Sequence, residues 1–447
     1  MDGRGAFVFA ALSVALGGCG IGEIPPKSFT EEVQIEFYDA EGVLEEVHYR
    51  FSGDVWRAAS LESKTLRLRS EDPSLPFEVV ASCGPSYHYP EGQVLFLRAT
   101  AGEVQNLRLP CSLPHPYKGQ VSTPIAVSFP SILGGVPLAS DDAFTFDGSS
   151  GGQVAPGGTQ VAYLGLPPGP QKASLLVYRG YGSGATLLGG KVFDLVVEEG
   201  RGVTANLSDH DTVETRTWIV ALPEGAYGTV DVLYFKDGMR RYFAATPSYA
   251  TIQGTEAGRY AVFPGHGGVY LGRLNVHLSY LRSGSLCAQE CSSQVLLLED
   301  TRGLDWAPGL PSAWGPGQLQ VSPDGRTWEL RHPGAQGYEV HVRGLLYRGT
   351  EALPLAFWTT SSLTLPELPS SLGVRYAASG EVFFSILAVK KGGLDALGAA
   401  LAFQETSLSG LSFTSATLSG AQFVLGVGQR HHGQDGDDRH HHHQLDQ

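Results

Sequence analysis

Short stretches of this chain alternate apolar and polar residues one by one, the period of a strand with one face in a core and the other in water. Val33-Gln34-Ile35-Glu36-Phe37 shows the pattern first. Asp39-Ala40-Glu41-Gly42 reads as a turn, and Val43–Phe51 as the returning strand. Thr65–Arg69, Phe77–Ser82, Val94–Arg98 and Val104–Leu109 complete a first unit over residues 30–115. Gly or Pro interrupts nearly every window of about fifteen residues, so no helical periodicity is sustained there. A second unit over 116–209 is predicted from Ile125–Phe129, Phe144–Phe146, Val161–Leu164, Ala173–Arg179, Val192–Val197 and Val203–Leu207. The third, over 210–301, has Trp218–Leu222, Val230–Phe235, Arg241–Ala245, Tyr260–Phe263, Val269–Tyr280 and Gln294–Leu298. Lys236-Asp237-Gly238-Met239 is its Asp-Gly hairpin turn. In the fourth, over 302–426, Tyr338, Val340 and Val342 mark one sheet face, and Thr414–Leu425 would be the last strand. Leu394, Leu397 and Leu401 break the pattern at helical spacing, predicting a short inserted helix. That helix is either a partner surface or a cover over the sandwich.

Two stretches carry family resemblances. Leu166-Pro167-Pro168-Gly169 followed by Ala173-Ser174-Leu175-Leu176-Val177 resembles the turn and strand of carboxypeptidase-regulatory or transthyretin-like modules. Thr327-Trp328-Glu329-Leu330, then Gly337-Tyr338-Glu339-Val340-His341-Val342, resembles strands B and C of a fibronectin type III domain. Trp358, Leu363–Pro366 and Gly380–Val389 match the later strands of that family. The fold class these resemblances imply is all-β: tandem immunoglobulin-like or fibronectin type III-like β-sandwiches, with a short inserted helix in the last. Ala101–Leu107 and Glu199–Leu207 close the first two units alike, a Gly turn into a final strand, as tandem copies would.

Composition agrees with short strands and turns: 58 Gly, 27 Pro and 17% charged residues. The net charge of -14 argues against nucleic acid as a partner, because phosphate needs basic stripes. The most specific stretch is Met1–Cys19. Arg4 is a basic start, Ala6–Leu16 an apolar run too short to span a membrane, and Leu16-Gly17-Gly18-Cys19 resembles the lipobox of bacterial lipoproteins. That resemblance implies removal of residues 1–19 as a signal, acylation of Cys19, and residues 20–29 as a tether on the membrane. An ordinary secretory signal is the alternative. Past residue 19 no apolar segment reaches the roughly 18 residues of a spanning helix.

Four further cysteines remain, Cys83, Cys111, Cys287 and Cys291. In an exported chain their even number favours two disulfides, Cys83–Cys111 and Cys287–Cys291 by sequence proximity, with a zinc site as the rival. Residues 427–447 are polar and cannot bury a core, so a disordered tail is expected. Within it His440, His441, His442 and His443 are the one cluster of metal-ligand type, a loose and opportunistic site. No cofactor is expected.

Other patterns are weighed and set aside. Gly148-Ser149-Ser150-Gly151-Gly152 satisfies Gly-x-Ser-x-Gly, but lacks the strand-turn-helix setting of a serine hydrolase. Asp209-His210-Asp211 falls between units, where polar linkers belong, and Gly265-His266-Gly267-Gly268 reads as a turn. Tyr87, Tyr89, Trp306 and Trp314 suit either packing or stacking on sugars. With no catalytic constellation, the expectation is a non-enzymatic, lipid-anchored protein of the cell envelope, at the outer membrane or cell surface. Adhesion, scaffolding or ligand presentation would be its role, with envelope proteins or polysaccharide as partners. The alternative is a carbohydrate-binding accessory of an extracellular polysaccharide enzyme.

Overall fold

A computed structural model describes residues 31–113, 120–146, 150–235, 243–247, 250–263, 265, 268–278, 292–310, 312, 314, 317–378, 380–398 and 420–432. Nearly all of them are in strands or the turns between strands, as the alternating pattern predicts. The first unit holds β1 (Glu31–Asp39), β2 (Leu44–Phe51), β3 (Arg57–Ala58), β4 (Thr65–Ser70), β5 (Pro76–Cys83), β6 (Gln93–Thr100) and β7 (Asn106–Ser112). The second holds β8 (Val121–Ser128), β9 (Ile132–Leu133), β10 (Val136–Pro137), β11 (Ala143–Phe146), β12 (Ser150–Gln153), β13 (Thr159–Leu166), β14 (Gly169–Arg179), β15 (Thr186–Val197) and β16 (Val203–Asn206). The third holds β17 (Glu214–Ala221), β18 (Tyr227–Phe235), β19 (Phe243–Ala244), β20 (Ala250–Gln253), β21 (Thr255–Val262), β22 (Val269–Leu278) and β23 (Ser292–Asp300). The fourth holds β24 (Leu319–Val321), β25 (Thr327–Leu330), β26 (Gly337–Arg348), β27 (Glu351–Thr359), β28 (Leu363–Thr364), β29 (Val374–Tyr376), β30 (Gly380–Lys391) and β31 (Gly420–His432). A short helix, α1, covers 393–398.

Among the described residues one sheet of 14 strands runs through three of these units. Its order is β19-β18-β22-β23-β31-β30-β26-β27-β6-β5-β2-β3, with β20 beside β18 and β29 beside β26. The sheet crosses the unit boundaries at two seams. β6 of the first unit pairs in parallel with β27 of the fourth, Val94 opposite Leu355 through Arg98 opposite Thr359. β23 of the third pairs antiparallel with β31, Ser292 opposite Val427 through Glu299 opposite Gly420. In space the order is therefore third, fourth, first.

Sequence accounts for this position. Phe77-Glu78-Val79-Val80-Ala81, Val94-Leu95-Phe96-Leu97 and Leu353-Pro354-Leu355-Ala356-Phe357-Trp358 are nearly unbroken apolar runs, and both of their faces are buried. Strands covered on both sides need apolar side chains at every position. Val80, Phe96 and Phe357 face a core shared with the third and fourth units. Val79, Leu95, Leu97 and Trp358 face the opposite core, closed by the sheet β4-β1-β7 through Val33, Ile35 and Phe37.

The second unit is a two-sheet sandwich, β12-β11-β14-β15 against β13-β8-β16. Its core is built from Phe144, Phe146, Leu175, Leu164 and Phe193. The opposite face of β14 turns Leu176 and Tyr178 into the larger core, docking this unit on the third. In the fourth, β25 lies between β24 and β28, and Trp328 sets its ring edge-on to Phe357 and Phe384 at 5.3 and 5.4 Å.

Helix α1 resolves the choice left by its leucine stripe. Leu394 and Leu397 are fully buried, in the core of the first unit rather than in that of their own. Asp395 Oδ2 accepts the backbone N–H groups of Gln105 and Asn106 at 3.1 and 3.4 Å, fixing the helix at the start of β7. Leu401 lies outside the described residues. The last strand, expected at Thr414–Leu425, lies at Gly420–His432, so residues 427–432 of the polar tail belong to the sheet.

Candidate functional site

Several sequence candidates have definite places. Cys83 and Cys111 form a disulfide that ties β5 to β7, across the two sheets of the first unit. Cys19, Cys287, Cys291 and His440–His443 lie outside the described residues. Of the Gly-x-Ser-x-Gly stretch, Ser150, Gly151 and Gly152 belong to β12, hairpinned against β11. A Cβ at Gly151 would stand 2.1 Å from the Phe144 carbonyl oxygen, which explains a glycine there without invoking chemistry. Asp211 accepts the Ser208 N–H at 2.7 Å and pairs with Lys191 at 3.2 Å, so Asp209-His210-Asp211 is a tied linker. Gly265 and Gly268 are described and His266 is not. Trp306 and Trp314 are buried, the former donating its indole N–H to Glu299 at 3.0 Å, while Tyr87 is 48% exposed. Among the described residues no group of three or more His, Cys, Asp or Glu could hold a metal ion.

The structure brings together a different set. An open groove of about 600 Å³ lies where β2 and β3 of the first unit meet residues 367–371 of the fourth. Its lining includes His48, Arg50, Asp54, Trp56, Glu367, Ser370 and Ser371. His48 and Arg50, two apart on β2, project from the same face. The Arg50 guanidinium pairs with Glu78 at 2.5 Å and stacks on the half-buried Trp56 ring at 4.4 Å. Trp56 donates its indole N–H to the Glu367 carbonyl oxygen at 2.9 Å, a bond between units. Arg326 supports the loop from below. It pairs with Glu367 at 2.7 Å and lies 4.5 Å over the ring of Tyr376, whose hydroxyl donates to the Pro366 carbonyl oxygen at 2.9 Å. Burial raises the Tyr376 phenol far above its usual pKa, against a smaller opposing pull from Arg326, so it stays a neutral donor.

A serine beside a histidine invites a hydrolase reading, and the geometry answers it. His48 Nε2 lies 3.1 Å from Ser371 Oγ and 2.8 Å from Glu46 Oε2. A triad uses one ring nitrogen to accept from the serine and the other to donate to the acid. Here one nitrogen meets both. When Nε2 carries its proton toward Glu46 it cannot take the proton of Ser371. What the groove does offer is an aromatic ring held at fixed orientation, the Ser370 and Ser371 hydroxyls, and the Asp54 and Glu367 carboxylates.

No pattern in the sequence points to this site. Its halves stand more than 300 residues apart, and the Trp56–Glu367 separation is 311. The one local signal is a tryptophan set in the polar run Ser52-Gly53-Asp54-Val55-Trp56-Arg57, where a core residue is not expected.

No family model and no curated protein matches the chain. Among solved structures it is similar to the Bacillus anthracis TIE protein, at 11% identity over 62% of this chain and 50% of that one, with a TM-score of 0.14. It is also similar to a candidate adhesin from Bacteroides ovatus, at 12% identity over 65% of this chain and 85% of that one, TM-score 0.11. A third is the pilus adhesin SpaC from Lactobacillus rhamnosus GG in an open conformation, at 9% identity over 76% and 44%, TM-score 0.12. This chain spans about half the length of the first of these structures.

Proposed function

We propose that this is a non-catalytic, lipid-anchored protein of the cell envelope that displays a ligand-recognising surface, in adhesion or scaffolding. The groove between the first and fourth units carries the reading. It opens to solvent, the Trp56–Glu367 bond ties its two halves together, and one His48 nitrogen faces both Ser371 and Glu46. A site formed in advance, with its ring held by a bond between units, suits recognition, because less order is lost on binding. Leu16-Gly17-Gly18-Cys19 supports the anchor, with Cys19 as the acylated residue and the membrane as its partner. The two sheets around Trp328, β24-β25-β28 and β27-β26-β30-β31, support a fibronectin type III reading of the fourth unit.

A second reading, a carbohydrate-binding accessory of a polysaccharide enzyme, is favoured by the lining of the groove. An indole face beside hydroxyls and carboxylates matches a sugar ring, with its apolar C–H face and polar rim. Fatty-acid labelling of cells, with protease shaving, tests the anchor: wild type is expected to carry label and be cut from outside, and Cys19→Ala to carry none. Label absent from both would overturn it. Glycan-array binding then separates the readings. Binding lost in Trp56→Ala at unchanged Tm points to sugar recognition at the groove. Binding by neither protein points to a non-glycan ligand.

A further inference from the structure

The sheet β13-β8-β16 carries no charged side chain on any of its strands. Its three strands read Thr-Gln-Val-Ala-Tyr-Leu-Gly-Leu, Val-Ser-Thr-Pro-Ile-Ala-Val-Ser and Val-Thr-Ala-Asn, without one Asp, Glu, Lys, Arg or His. The chain as a whole is 17% charged and carries -14. β13 is an edge: β8 is its hydrogen-bonded neighbour, and no strand pairs with its other side among the described residues. Ala162, Leu164 and Leu166 point into the core, while Val161 and Tyr163 stand on the outer face at 54% and 62% exposure.

Exposed edges are normally blunted by charge, proline or brevity. Other edges here obey that rule. β4 carries Arg67 and Arg69, β3 is two residues with Arg57, β15 has Lys191 and Asp194, and β12 and β16 are four residues each. β13 has eight residues and none of these devices.

We propose that β13 is a homotypic docking edge, through which a second copy of this chain joins antiparallel to make one continuous sheet. The strand's own sequence selects the partner: paired antiparallel with itself, β13 sets no charge against charge and matches an aromatic to a β-branched side chain. Two copies at -14 repel over most of their surfaces, and association is least opposed where neither carries charge. An antiparallel pairing of a strand with itself is isologous and closes at two copies. Side chains must keep their faces, so a register centred on Ala162 sets each Val161 opposite the partner copy's Tyr163. That gives two aromatic–β-branched pairs on the outer face.

Sedimentation velocity of the full chain in detergent, across a concentration series, tests this. Wild type is expected to reach the mass of two copies. The double variant Val161→Lys with Tyr163→Lys places like charges opposite each other and is expected to weaken the dimer about tenfold or more at unchanged Tm. The counterpart Val161→Glu with Tyr163→Glu is expected to be monomeric alone and to form a mixed dimer with the lysine variant. A wild type that stays monomeric throughout overturns the proposal. So does a dimer that survives both double variants, or two monomeric variants that do not pair when mixed.

Discussion

Asp39 shows how one side chain can fix a turn that propensity alone would leave loose. Its carboxylate accepts the N–H groups of Gly42, Val43 and Leu44, the Lys64 ammonium at 2.9 Å and the Ser112 hydroxyl at 2.6 Å. Burial pushes its pKa up, but these hydrogen bonds together outweigh burial and bring it down to about 2. A depressed carboxylate stabilises the fold above its unfolded pKa, and the contribution is lost as pH falls through the folded value. The window is therefore pH 4 down to pH 2, and the contribution about 2 kcal/mol. Denaturant midpoints measured across that window are expected to fall in wild type and to change less in Asp39→Asn. The turn itself is legible in Asp39-Ala40-Glu41-Gly42. The reach of the carboxylate is not, because Lys64 comes to it from the turn before β4 and Ser112 from β7, both far along the chain.

At the scale of elements, period-2 alternation locates strands well because it reports on one residue and its neighbours. Each strand predicted in the first unit is found, displaced by a few residues at most. β24 and β29 are missed because each is three residues long, too short for alternation to register. Helix α1 is legible as a leucine stripe and illegible in its destination. Its spacing says that Leu394 and Leu397 bury one face, and nothing local says whose core receives them. Leu397→Ala is expected to destabilise by about 2–5 kcal/mol, the range for deleting a buried leucine. Hydrogen exchange should show β1 and β7 losing protection along with the fourth unit. Protection lost in the fourth unit alone would mean that α1 is not a clamp.

The whole molecule differs from a string of beads in its two seams. The seam of β6 with β27 is partly legible: an unbroken apolar run such as Val94-Leu95-Phe96-Leu97 says that the strand is covered twice. What sequence does not carry is the identity of the second cover, since a parallel pair between β6 and β27 leaves no turn and no spacing to read. The groove escapes for the same reason, being made where those units meet. Trp358 sits at this seam, fully buried in the first unit's core while belonging to the fourth. Trp358→Ala is expected to cost about 3–5 kcal/mol. Calorimetry should show the first, third and fourth units melting in one transition, before and after the change. Separate transitions would show that the seams do not couple them.

The parallel seam also bears on biogenesis. A chain made amino-end first completes β6 long before β27, so the first unit forms with one side of its sheet bare. Until the fourth unit follows, that rim of free amide and carbonyl groups is open to any passing strand. Synthesis therefore demands either speed or a chaperone that shields the waiting rim, and proteins truncated after the third unit should accumulate as aggregates rather than as smaller soluble versions.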